Sequence, residues 1–228
     1  LSIREFVLKI TINFVHYTNK NDMEQQTEQQ PHVAAARKTQ LNLVVGINGT
    51  GKTTFLREKI VRQHKALILT PDPMEWRHLP EVRTATEIRM MQGPARVIYQ
   101  GPETLETIKG SFFGGILVLD DAMAYLTEQT PSTMQYLYIR RRQYGIDIYI
   151  VAHGLRQLPP KCFTFGSFLF LFATTENFST RKRELQPELF QRIVDTQQHV
   201  NRQCEKGDPY CYKIILLDPS IKAANARR

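Results

Sequence analysis

The chain has 228 residues, enough for one domain with a substantial core. With 42% apolar and 23% charged residues it is not a disordered polyampholyte, and no run approaches the roughly 18 apolar residues of a membrane helix. The formal net charge of +8 suits a polyanionic partner, nucleic acid first and an acidic membrane surface second, although a merely basic protein has the same surplus. Cys162, Cys204 and Cys211 are too few and too scattered for a disulfide framework or a zinc site, and read as reduced thiols.

In chain order, Phe6, Leu8, Ile10, Ile12 and Phe14 alternate with Lys9, Thr11 and Asn13, the period of a strand and not of a signal peptide. Two readings stay open: an extra edge strand, or translated upstream sequence with the native start at Met23. Asn19–Gln30 is polar and reads as a linker. Residues 1–38 are therefore expected to form a flexible N-terminal extension, and 39–228 one folded domain.

From Thr39 apolar runs alternate with helical spacing. Leu41–Val45, Ala66–Leu69, Ala95–Tyr99, Ile116–Leu119, Ile146–Ala152, Phe168–Ala173 and Tyr212–Leu217 read as strands. Lys52–Lys65, Glu103–Lys109, Met134–Tyr144 and Pro187–Gln203 read as helices, with Phe55, Leu56, Ile60 and Val61 on one face of the first. The alternation predicts an α/β fold with a mostly parallel central sheet and helices on both faces.

The first strand ends in Gly46-Ile47-Asn48-Gly49-Thr50-Gly51-Lys52-Thr53, which matches G-x-x-x-x-G-K-[ST] throughout. Such a loop brings backbone N–H groups against phosphate oxygens where a Cβ would obstruct, and it opens a helix whose N-terminus favours anions. Gly46, Asn48, Gly49, Thr50, Gly51, Lys52, Thr53 and Thr54 are the expected nucleotide contacts, Lys52 reaching the β- and γ-phosphates and Thr53 the Mg²⁺ shell. ATP with Mg²⁺ is the expected ligand. Gly114–Leu119 leads to Asp120 and Asp121, an apolar strand ending in two acids. Asp120 is expected to hold Mg²⁺ through water and Asp121 to polarise the attacking water, the plainer alternative being a helix cap with a solvated neighbour.

After the acids come Arg140-Arg141-Arg142-Gln143-Tyr144-Gly145, the Ile146–Ala152 strand, and His153-Gly154-Leu155-Arg156-Gln157-Leu158-Pro159. This order resembles the FtsK–HerA superfamily of P-loop DNA-pumping ATPases. The small size and the acid pair are most similar to the genome-packaging ATPases of tailless double-stranded DNA viruses, and the Arg-x-x-x-Gly-Ile-Asp-Ile stretch more distantly to Zot-like assembly ATPases. The resemblance covers about residues 41–173. It implies a RecA/FtsK-like P-loop NTPase fold and puts His153 where relatives carry a polar sensor of the γ-phosphate, usually Gln or Asn. It implies an arginine finger delivered in trans, Arg142 first and Arg141 second, against the alternative of a solvated basic face. Pro71-Asp72-Pro73-Met74-Glu75-Trp76 is similar to the superfamily's D-P-x-x-E-aromatic turn, with Trp76 near the base, at a subunit contact, or simply anchoring a proline turn. Arg181-Lys182-Arg183 reads as a DNA-facing loop or a solvated one.

The resemblance thus implies an ATP-hydrolysing motor that moves viral double-stranded DNA into a capsid with little sequence preference, as a homo-oligomeric ring, with a capsid-vertex or membrane-associated viral protein as a further partner. The expected location is the host cytoplasm or the virion. Alternatives are a Zot-like assembly or secretion ATPase and a small-molecule P-loop kinase. No LSGGQ-like segment points to an ABC-type ATPase.

Overall fold

The structure is a computed structural model that describes residues 39–60, 65–126 and 132–221. The expectations for the N-terminal extension, for Val61 and for the end of the first helix lie outside or at the edge of the described residues. Seven strands, β1 (Leu41–Val45), β2 (Ala66–Thr70), β3 (Pro94–Ile98), β4 (Gly115–Leu119), β5 (Ile146–Ala152), β6 (Phe168–Phe172) and β7 (Tyr212–Leu216), form one sheet in the order β3-β2-β4-β5-β1-β6-β7. All pairings are parallel except β6 with β7. The expected strands are all present, each shifted by at most a residue at its ends.

Alternation along the strands divides the core in two. Leu41, Leu43 and Val45 of β1, Leu67 and Leu69 of β2, and Leu117 and Leu119 of β4 point to one face. Val44, Ala66, Ile68, Ile116 and Val118 point to the other. Helices cover both faces unequally. Helix α1 (Lys52–Ile60) packs Phe55 and Leu56 on the second face, joined there by Trp76. The first face takes α2 (Ala85–Met90), α3 (Pro102–Ser111), α4 (Ser132–Tyr144), α5 (Pro160–Phe165) and α6 (Pro187–Glu205). In α6, Phe190, Ile193, Gln197 and Val200 are buried, the three- and four-residue spacing of an amphipathic helix.

Two helices were not expected from the apolar pattern. In α2, Thr84 accepts from the Glu87 N–H and the Glu87 carboxylate accepts from the Thr84 N–H, a complete capping box on a helix with a single buried side chain, Ile88. Helix α5 starts at Pro160, whose fixed φ suits a first turn.

The parallel strands place their carboxyl ends along one edge. Val45 lies opposite Ala152 and Leu171, and Leu119 opposite Ile150. Because β7 runs the other way, its first residue, Tyr212, pairs with the last residue of β6, Phe172, at that same edge. At the opposite edge the chain enters β4 through Gly114 and Gly115, with φ of 66° and 111°. A Cβ on Gly115 would collide with the Lys65 carbonyl oxygen, which accepts the Ile116 N–H at 3.1 Å. Both the backbone conformation and the lack of room exclude a larger residue. Gly115→Ala is therefore expected to lower stability by about 2–3 kcal/mol, or about 5–10 °C in Tm, while Gly93→Ala, which meets nothing within 4 Å, leaves Tm nearly unchanged in a thermal melt.

Candidate active site

The loop after β1 is pinned between its neighbours. The Gly46 N–H donates to the Ala152 carbonyl at 3.2 Å and the Ile47 N–H to the Ala173 carbonyl at 2.9 Å, so the ends of β5 and β6 hold its base. A Cβ on Gly46 would lie 2.5 Å from the Phe172 Cβ and 2.9 Å from the Thr50 hydroxyl. Gly49 and Gly51 adopt φ of 81° and 88°, which lets the loop turn back and present its amides. The buried Thr50 hydroxyl donates to the Ile47 carbonyl at 2.8 Å, tying the loop across its mouth. Lys52 is buried, and its ammonium donates to the carbonyls of Gly46 at 2.6 Å and Ile47 at 2.9 Å. Burial pushes its pKa down, and the charges of Asp120, Asp121 and Glu75 oppose that shift.

A cavity of about 540 Å³ opens over this loop. Asn48, Gly49, Gly51, Lys52, Thr53 and Thr54 line one side, and Asp72, Glu75, Asp120, Asp121 and His153 the other. The sequence thus anticipated most of the lining, and Gly46 and Thr50 shape the loop from beneath. Asp120 follows β4 and is nearly buried; Asp121, half-exposed, takes φ of 50°, the left-handed region that few non-glycine residues occupy outside functional sites. That turn aims the Asp121 carboxylate at the end of β5, where its Oδ1 lies 3.7 Å from His153 Nε2. The turn carrying His153 is stapled by Gln157, whose Oε1 accepts the N–H groups of His153 at 2.8 Å and Gly154 at 3.2 Å.

Trp76 has a partner that the sequence did not indicate. It is buried, as the anchoring alternative had it, and beyond anchoring its turn its Nε1–H donates to Asp120 Oδ2 at 2.7 Å, with its backbone at φ of 56°. A bulky residue there costs on the order of 1–3 kcal/mol unless its surroundings enforce it. The Tyr125 hydroxyl donates to the backbone carbonyl of Asp120, so the acid is held at both backbone and side chain. Burial raises the Asp120 pKa, and the Trp76 hydrogen bond pulls it back down. The native state therefore keeps this proton more tightly than the unfolded chain, and ionising Asp120 costs stability as pH rises through the ordinary carboxylate range. Burial raises Glu75 as well, with the Asp120 and Asp72 charges adding to the effect.

The arginines fall elsewhere. Arg141 is buried, and its guanidinium donates to the Tyr138 carbonyl at 2.5 Å and the Phe165 carbonyl at 3.4 Å. A group so engaged locks α4 to α5 and is not free for delivery to a neighbour, which corrects the expectation that it ranks second as a finger. Arg142 is exposed at the C-terminus of α4. Within one chain it is separated from His153 by the length of β5, roughly 20 Å at the usual strand rise. Arg181 is also engaged, with Glu184 at 2.5 Å and the Arg156 carbonyl at 2.6 Å, whereas Lys182 and Arg183 are exposed.

The donor set suits a hard cation. The Thr53 hydroxyl and the Asp120 carboxylate are oxygen ligands of the kind Mg²⁺ takes, and the facing carboxylates would repel a polyphosphate unless a cation came with it. Among the described residues no group of three or more His, Cys, Asp or Glu side chains could hold a metal alone, so such a cation would depend on phosphate oxygens and water. Removing the Trp76 donor leaves the Asp120 carboxylate buried with one partner fewer. Trp76→Phe is therefore expected to raise the Asp120 pKa further, moving the Asp120 carboxyl titration followed by NMR to higher pH than in the wild type.

Comparison with known proteins shows the fold. No protein family matches the chain, and no curated protein does. Among solved structures, the genome packaging NTPase B204 from Sulfolobus turreted icosahedral virus 2, in complex with AMP, superimposes with a TM-score of 0.60 at 13% identity, covering 78% of this chain and 93% of that one. The same protein in complex with ATP-gammaS gives 0.57 at 13% identity over 79% and 93%. B204, the DNA-packaging ATPase from Sulfolobus turreted icosahedral virus, gives 0.54 at 15% identity over 77% and 96%. The chain therefore has the α/β fold of a P-loop NTPase, with a mostly parallel sheet, and shares it with B204 across nearly the whole of that protein.

Proposed function

We propose that this protein is an ATP-hydrolysing motor of the FtsK–HerA superfamily that drives double-stranded viral DNA into a capsid. The observation that carries the reading is the single cavity in which the Gly46–Thr54 loop faces Asp120, Asp121 and His153, at the ends of neighbouring strands in a fold shared with a genome-packaging NTPase. The loop amides and Lys52 bind the phosphates, Lys52 exchanging its two carbonyl partners for the β- and γ-oxygens. Thr53 and, through water, Asp120 would hold Mg²⁺, which would supply positive charge beside the phosphate oxygens. Asp121 accepts hydrogen from the attacking water, and His153, facing it, orients that water or the γ-phosphate.

Lys52 is the one Lys or Arg among the residues lining the cavity. Among the described residues lining the cavity there is therefore no second guanidinium or ammonium to meet charge developing on the transferred phosphoryl group, which supports a finger supplied by a neighbouring subunit of a ring, with Arg142 as the exposed candidate. The net charge of +8, with Lys182 and Arg183 exposed, supports contact with DNA phosphates. Among the described residues no helix is long and apolar enough to cross a membrane, and the reading places the motor in the host cytoplasm or at the virion vertex.

The test is steady-state ATP hydrolysis by the full chain with and without double-stranded DNA. Turnover is expected to rise with DNA and with protein concentration, and Lys52→Ala to abolish it, losing on the order of 10³-fold or more. Arg142→Ala is expected to be inactive alone yet to support hydrolysis by a mixed ring through a wild-type neighbour's arginine. Turnover indifferent to every DNA added would overturn the motor reading.

A further inference from the structure

The phosphate end of the cavity is built from loop amides, Lys52 and the acids of β4. Its other end is marked by an aromatic side chain that neither the motif nor the acid pair assigns. Tyr210 lines the same cavity and is 66% exposed, among the most exposed large hydrophobic side chains of the described residues. Its ring lies over the start of α1: a Cβ on Gly51 would sit 2.9 Å from Tyr210 Cδ1 and 3.7 Å from Cε1. Gly51 thus lets the ring approach the phosphate loop closely.

Topology explains how Tyr210 comes to be there. The sheet order places β4, with Asp120, on one flank of β1 and β7 on the other. Since β7 is antiparallel, the residues before Tyr212 stand at the edge that carries the loop. The segment is held firmly. Phe172 and Tyr212 stack at 4.9 Å, and Phe55 of α1 packs on both, at 6.0 Å and 5.3 Å, fixing the start of β7 against the loop's own helix. Gly207, at φ of 98°, ends α6, and the Cys211 N–H closes the turn on the Asp208 carbonyl at 3.3 Å. Among the described residues no ring contact engages the Tyr210 face, whereas Tyr212, Phe55 and Phe172 are all taken up by one another.

Resting on the nucleotide-site reading, we propose that Tyr210 is the platform on which the base of the bound nucleoside triphosphate stacks. A triphosphate whose γ-end points to Asp120 and Asp121 on the β4 flank leaves the loop on the β6–β7 flank, where Tyr210 waits. Stacking reads a π-face and not a pattern of donors and acceptors, so the site accepts ATP and GTP alike and holds the smaller pyrimidine triphosphates less tightly.

Binding to the full chain, measured calorimetrically with Mg²⁺ for ATP, GTP, CTP and tripolyphosphate, tests this. Wild type is expected to bind ATP and GTP within a few-fold of one another and CTP more weakly. Tyr210→Ala is expected to weaken ATP about tenfold, Tyr210→Phe to leave it nearly unchanged, and neither to alter tripolyphosphate binding or Tm. ATP affinity unaffected by Tyr210→Ala would overturn the platform while leaving the nucleotide site standing. So would an equal loss of ATP and tripolyphosphate, which would mean that the ring only buttresses Gly51. A wild-type chain that bound neither ATP nor tripolyphosphate would remove the nucleotide site, and the platform with it.

Discussion

Everything in the candidate site hangs from one constraint, the common direction of six adjacent strands. Parallel strands put all their carboxyl ends at one edge, and the sheet order then fixes which ends are neighbours. Between β4 and β6 that edge carries, in sequence, the acid pair, the His153 turn and the glycine loop. None of these segments touches another in sequence. Hydrogen bonds from Gly46 to the last residue of β5 and from Ile47 to the residue just after β6 turn the register of the sheet into the position of the loop. The one antiparallel strand serves the same edge, because reversing β7 brings a loop that would otherwise lie far away back beside α1.

What could be read from the chain, and what could not, follows the range of the interactions. The glycine loop is local: its residue types are dictated by φ above zero and by close approach, so sequence states it outright. The central strands are legible for the same reason, since burial on both faces demands an uninterrupted run such as Ile116–Leu119. The burial of Trp76 was legible as one alternative, but its hydrogen bond was not. Its partner, Asp120, is 44 positions away, and its backbone conformation contradicts its local propensity. Arg141 was half legible: three successive arginines on a helix must point in different directions, but only the position of α5 decides which one is buried. Helix α2 was missed although Thr84 and Glu87 spell its capping box, because its single buried residue gives no periodicity to detect. Tyr210 carried no signal, since an exposed aromatic in a turn acquires meaning only when β7 is known to run backwards.

The site also sets charge against burial. Asp120, Glu75 and Lys52 are each shifted toward neutrality by desolvation, so an ionised site is held at some cost to the fold. The structure offsets part of that cost with directed partners: Trp76 for the Asp120 carboxylate, and the Gly46 and Ile47 carbonyls for the Lys52 ammonium. These partners differ in kind. The Trp76 bond leaves the second Asp120 carboxylate oxygen open to another partner. The carbonyl bonds to Lys52 must give way before the lysine can engage a phosphate.

On the proposed reading, that asymmetry bears on regulation. Four carboxyl groups, Asp72, Glu75, Asp120 and Asp121, meet one lysine among the described residues lining the cavity, so the acid side of the cavity favours a cation beside any anionic ligand. A divalent cation held by Thr53 and Asp120, as proposed, would offset that imbalance for binding. On the proposed reading, a neighbouring subunit would supply further positive charge. A subunit that binds nucleotide alone but hydrolyses it only when a neighbour completes the charge would couple chemistry to assembly, and the burial of Arg141 beside the exposure of Arg142 shows two neighbouring arginines divided between holding the fold and facing outward.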